Sequence, residues 1–125
     1  MVSRKQSFGS ELRRLREEAK GEPRMSDLAE AIDVSVVYIS DIERDRRNPP
    51  SPEKIFKMLE AIGKEDQIDW MLQLAAKSRR SVEISVENKS DRAIFALASL
   101  ARRVEEGQVS DDQLESILKT LKKDK

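Results

Sequence analysis

The chain's densest chemistry lies in VVYISDIERDRRNPP, positions 36–50. Arg44, Arg46 and Arg47 fall within four residues, and each guanidinium is a planar fork of donors that fits anionic oxygens. Asn48 adds an amide, Ser40 a hydroxyl that donates or accepts, Asp41 a carboxylate that only accepts, and Tyr38 a phenol. Val36 and Val37 offer methyl groups alone. Such a set binds; nothing in it breaks bonds. The chain has no Cys and no His, which removes disulfides, thiol nucleophiles, Ser-His-Asp triads and nearly every zinc site. A metal would need a carboxylate site, no cofactor is expected, and no nucleophile stands beside a base. The paired acids Glu105 and Glu106, and Asp111 and Asp112, sit at helix ends where solvation or the helix dipole explains them.

Those residues must be positioned by a small frame. A chain of 125 residues, 38% apolar and 38% charged with four Gly and four Pro, suits one compact domain or a small domain with an appendage, built mostly of helix. Formal net charge is zero, and basic and acidic residues balance within each stretch 1–50, 51–100 and 101–125. An anionic partner must therefore be met by a local patch. No run approaches the roughly 20 apolar residues that span a bilayer, and the opening MVSRKQSFGSELRR lacks the apolar core of a secretion signal. No membrane association and a cytoplasmic location are expected.

Phe8, Leu12, Leu15 and Ala19 recur at helical spacing, giving a first helix that ends near Gly21. Met25, Leu28, Ala29 and Ile32 make a second that stops at Asp33. Ser35 is a good N-cap for a third, with Ile39 and Ile42 turned inward. Ser51 caps a fourth with Pro52 at its first position, where a missing amide hydrogen costs nothing, and Ile55, Met58, Leu59 and Ile62 form its inner stripe. KEDQIDWMLQLAAKS gives a fifth, with acids in its first turn and Lys77 in its last. In RSVEISVE the period changes to two, with Val82, Ile84 and Val86 alternating with polar residues as in a half-buried strand. A sixth helix runs from a Ser90 cap to Gly107 with Ala93, Leu97, Leu100, Ala101 and Val104 on one face. A seventh opens on a capping box, Ser110 with Gln113, and carries Leu114, Ile117, Leu118 and Leu121. The fold class is mainly all-α: five helices in a domain spanning 1–78, then a short β-strand and a helical hairpin over 79–125.

The pair at 25–45 carries a joint set of constraints. Ala29 is small where two helices cross closely, Ile32 and Val34 flank a short turn, and Ile39 and Ile42 return to the same core: helix-turn-helix geometry. Here the chain resembles the lambda-repressor-like, Xre-type helix-turn-helix regulators. The matching residues are LRRLREE at 12–18, LAEAIDVSVVYISDIERDRRNPPS at 28–51 and IFKMLEAIG at 55–63. The resemblance implies a five-helix DNA-binding domain and pairs Arg16 with Glu43 as a partly buried ion pair. It also marks departures. Asp33 and Asp45 stand where the family usually has Gly in a left-handed conformation, which Asp tolerates. Met25 stands where a phosphate-contacting polar residue usually opens the second helix, and Arg24 is the obvious substitute.

On that resemblance the third helix enters the major groove of double-stranded DNA, placing Val36, Val37, Tyr38, Ser40, Asp41 and Arg44 near base edges, with Arg24, Arg46, Arg47 and Asn48 toward phosphates. Valine methyls can pack on thymine methyls, Asp41 can accept from cytosine N4, and Arg44 has a bidentate guanine option. Val36 and Val37 also read as core support or cover for a protein partner, Tyr38 as phosphate contact or simple packing, and the arginines as a solvated loop. Asp41 and Asp45 oppose the arginine charge, so one copy should bind weakly and a homodimer is expected. The strand residues Val82, Ile84 and Val86 with Leu97, Leu100, Leu114 and Leu118 are its expected interface. The expected function is a regulator, and more narrowly a repressor, on a pseudo-palindromic operator. The alternative is an antitoxin or interaction module whose C-terminal half holds a partner protein, a toxin or other, while the helix-turn-helix autoregulates.

Overall fold

The computed structural model describes residues 6–123, with side chains through Lys122. Every regular element among them is helical: α1 (Phe8–Glu18), α2 (Met25–Ala31), α3 (Val36–Glu43), α4 (Pro52–Ala61), a 3-10 turn (Glu65–Gln67) running into α5 (Ile68–Arg79), α6 (Asp91–Glu105) and α7 (Asp111–Lys123). The chain divides into two compact units, Met1–Glu83 and Ile84–Lys125.

In the first unit α1, α3 and α4 start on hydroxyls. The side chains of Ser7, Ser35 and Ser51 accept from the amides of Ser10, Tyr38 and Lys54, satisfying donors that a helix leaves orphaned. Three ends share another device. After α2, Asp33 and Val34 donate to the carbonyls of Glu30 and Ala29; after α3, Asp45 and Arg46 donate to those of Ile42 and Asp41; after α4, Gly63 and Lys64 donate to those of Glu60 and Leu59. Each is a Schellman cap, and its left-handed residue is Asp33 (φ 59), Asp45 (φ 60) or Gly63 (φ 70).

These caps aim the helices at one core. α1 packs on α3 and α5, α2 on α3 and α4, and α4 on α5. Leu12, Leu28, Ile39, Ile42, Ile55, Met58, Leu59 and Met71 are fully buried between them. Leu74 of α5 is also buried, while its neighbour Leu72 is half-buried against the same core.

The second unit has no such interior: among its described residues none is buried. α6 starts on Ser90, whose hydroxyl accepts from Ala93, and Ser110 and Gln113 form a reciprocal capping box at α7. The strand expected over 81–87 is not seen; the backbone there is irregular and its side chains are exposed. A strand exists through ladder hydrogen bonds to a neighbour, and among the described residues no second strand supplies them.

Candidate nucleic-acid interface

α3 is two turns long, so its faces separate cleanly. Ile39, Ile42 and Glu43 are buried, while Val36 and Val37 are exposed and Ser40 and Asp41 are half-buried. At about 100° per residue, positions 36, 37, 40, 41 and 44 occupy an arc of roughly 140° on the side away from the core. Tyr38 falls beyond that arc, half-buried and packed against the core. Arg44, Arg46, Arg47 and Asn48 are exposed in the loop that follows. Among the described residues none of the three arginines pairs with a carboxylate. Arg24 is exposed at the start of α2, where its amide donates to the Asp27 carboxylate at 2.7 Å.

The ion pair between Arg16 and Glu43 fixes the helix from beneath. Arg16 Nε and Nη2 donate to the two oxygens of Glu43 at 2.7 and 3.0 Å, and only 1% of the Glu43 side chain is exposed. The hydrogen bonds it donates to Glu43 hold the Arg16 guanidinium above its ordinary pKa against the opposing effect of burial. A planar bidentate pair orients both partners, so it sets the roll of α3 on α1.

The loop after α3 is pinned at both ends. At its start the Asp45 carboxylate turns back onto the first helix, accepting from Ser7 Oγ at 2.6 Å and from the Gly9 amide at 3.0 Å. Gly9 lets the backbones close: a Cβ there would meet the Ile42 carbonyl oxygen and lie 2.6 Å from Asp45 Oδ1 and 2.8 Å from the Glu43 carbonyl oxygen. At the far end Pro49 and Pro50 are buried, and Arg79 of α5 donates to the Pro49 carbonyl. Arg46, Arg47 and Asn48 hang between fixed points, which lowers the ordering cost of any contact they make. Asp45, whose charge was expected to oppose the arginines, has its carboxylate committed to α1.

A second buried acid was not singled out from the sequence. Glu11, 5% exposed, accepts from Arg14 at 2.8 Å and from the Trp70 indole at 3.2 Å, joining α1 to α5. The Arg14 hydrogen bond holds its carboxyl below the ordinary glutamate range despite burial, with Trp70 helping. Trp70, the chain's one tryptophan, was the available signal: a half-buried indole N–H needs an acceptor.

Of the residues expected at a dimer interface, Val82, Ile84 and Val86 are exposed, as is Leu118, whereas Leu97, Leu100 and Leu114 are half-buried. Among the described residues no group of acids is placed to hold a metal ion, and no helix is long and apolar enough to cross a membrane. The protein family described as helix-turn-helix matches residues 12–67, from the middle of α1 to the turn before α5. Neither a curated protein nor a solved structure matches the chain.

Proposed function

We propose that this chain is a sequence-specific repressor acting as a homodimer on a pseudo-palindromic operator; its residues 12–67 match the helix-turn-helix family, of the lambda-repressor-like, Xre type, whose members bind DNA to regulate transcription. The observation that carries the reading is the α3 arc of Val36, Val37, Ser40, Asp41 and Arg44 beside a loop, fixed at both ends, whose arginines pair with no carboxylate among the described residues. The arc suits base edges: methyl contact to thymine from the valines, a hydroxyl for several bases at Ser40, an acceptor for cytosine N4 at Asp41, and a bidentate fork for guanine at Arg44. Arg24, Arg46, Arg47 and Asn48 take phosphates and set register. Occupancy of the operator is the whole mechanism, with no reaction catalysed.

The dimer in this reading has separate support. The second unit carries apolar residues along α6 and α7 yet buries none of its described side chains, so these helices lack the interior that stabilises amphipathic segments. A second copy supplies one and brings two α3 helices to half-sites one helical turn apart. The same uncovered faces suit a different protein, as in the antitoxin reading.

The test is selection of bound sequences from a random duplex pool, with the wild type and with Arg44→Ala and Arg47→Ala, alongside sedimentation of the free protein. A two-fold-related motif is expected from a dimeric wild type. Arg44→Ala should relax one position per half-site, and Arg47→Ala should weaken all sequences alike. With about eight phosphates neutralised, log affinity should fall against log salt with a slope of roughly −7. A protein that selects no sequence defeats the regulator reading, and a monomer hands the α6 and α7 faces to a partner protein.

A further inference from the structure

Tyr38 differs from its neighbours at the start of α3. It lies outside the outward arc, half-buried against the core. The guanidinium carbon of Arg47 stands over its ring, 4.6 Å from the centroid, within the distance at which the ring quadrupole attracts a cation. Arg47 has no carboxylate partner among the described residues, and its backbone lies in the loop fixed by Asp45 and Pro49. The ring therefore restrains what freedom remains, the long side chain itself. We infer that Tyr38 is a positioning residue that acts through Arg47, its ring holding the guanidinium ready for a phosphate, and that it reads no base.

A guanidinium held over a ring face makes no conventional hydrogen bond to it, so its planar fork of N–H donors is left for a phosphate oxygen pair. The inference rests on the DNA-binding reading above, and it assigns to the Tyr38 ring an effect on affinity that is blind to sequence. The hydroxyl has no part in it. Tyr38→Phe should bind as the wild type does, and Tyr38→Leu should lose about two- to fivefold per copy, the range of an exposed cation–π contact.

The experiment uses the full chain and two labelled duplexes, one carrying the motif selected from the random pool and one of unrelated sequence. Affinities are measured for the wild type, Tyr38→Phe, Tyr38→Leu, Arg47→Ala and the double variant Tyr38→Leu/Arg47→Ala. The expected result is equal loss on both duplexes for Tyr38→Leu, no loss for Tyr38→Phe, and no further loss when Tyr38→Leu is added to Arg47→Ala. A changed base preference in Tyr38→Leu, a loss in Tyr38→Phe, or additive single effects would overturn it by putting Tyr38 itself on the DNA. Since Tyr38 also packs on the core, a measurement on the free wild type stands beside these. The Arg47 δ protons should be shifted upfield by the ring current, and ordinary arginine shifts there would equally overturn the inference. Failure of the wild type to bind either duplex in a salt-dependent way would bring down the DNA-binding reading itself, a result distinct from those above.

Discussion

Asp33 and Asp45 occupy the same position of the same cap, with φ of 59° and 60°, yet their side chains have different fates. Asp33 is exposed and makes no side-chain hydrogen bond among the described residues, whereas Asp45 accepts from Ser7 and Gly9. Both left-handed conformations favour glycine. Asp33→Gly should therefore stabilise the protein by about 0.5 kcal/mol, through relief of backbone strain. Asp45→Gly gains the same relief but strands a part-buried amide and loses a charge-assisted bond, for a net loss of about 1–2 kcal/mol. Thermal or urea unfolding of the two variants checks the opposite signs; two changes of the same sign would contradict the role given to Asp45.

Part of this was legible in the sequence. The serine caps and the inward stripes depend on residues three or four apart, so local spacing reveals them: Ser35, Ser51, Ser90 and Ser110 all cap as expected. The partners of Asp45 lie 36 and 38 residues away, and no local pattern distinguishes a carboxylate turned toward α1 from one facing solvent. Glu11 was hidden for the same reason, its indole donor being 59 residues distant. The alternation over 81–87 was real as a pattern, but a strand is a property of a pair.

Arg16 and Glu43 should behave as a unit. Removing either partner leaves the other charge in a poorly hydrated site, so Arg16→Met and Glu43→Leu should each cost roughly 3–5 kcal/mol. The double variant Arg16→Met/Glu43→Leu should be less destabilised than the sum of its parts, because no charge is then stranded. Chemical unfolding around this double-mutant cycle measures the coupling, and simple additivity would mean that the two side chains do not interact.

Acid sensitivity should trace in part to Glu11. Its carboxyl is held below the ordinary range in the folded state by the Arg14 hydrogen bond, so folding favours the ionised form. The corresponding stability is present above the unfolded value of about 4.3 and is lost as pH falls through the depressed folded value. Glu11→Gln should be less stable than the wild type at neutral pH, and the difference should shrink as pH falls below about 4. Trp70 fluorescence during urea titrations at several pH values reports it directly, since the indole is one of Glu11's partners. A gap that stays constant through the acid range would remove Glu11 as the cause.

The second unit should declare its partner through Leu118. This side chain is 58% exposed, with Ile117 at 42% and Leu121 at 63% on the same helix, so α7 offers an apolar strip that intramolecular packing leaves uncovered. If a second copy covers it, Leu118→Asp places a charge in the interface, where desolvation without a partner is costly. The full-length variant should then sediment as a monomer while its α1–α5 unit keeps the unfolding midpoint expected for an intact core. Two linked α3 helices bind with the avidity of a second, intramolecular event, so loss of the dimer should weaken operator binding by roughly a hundredfold or more. It should also reduce the salt slope toward about half its wild-type value, because only one set of phosphate contacts remains. A Leu118→Asp protein that stays dimeric and binds unchanged would place the dimer contact elsewhere on the chain.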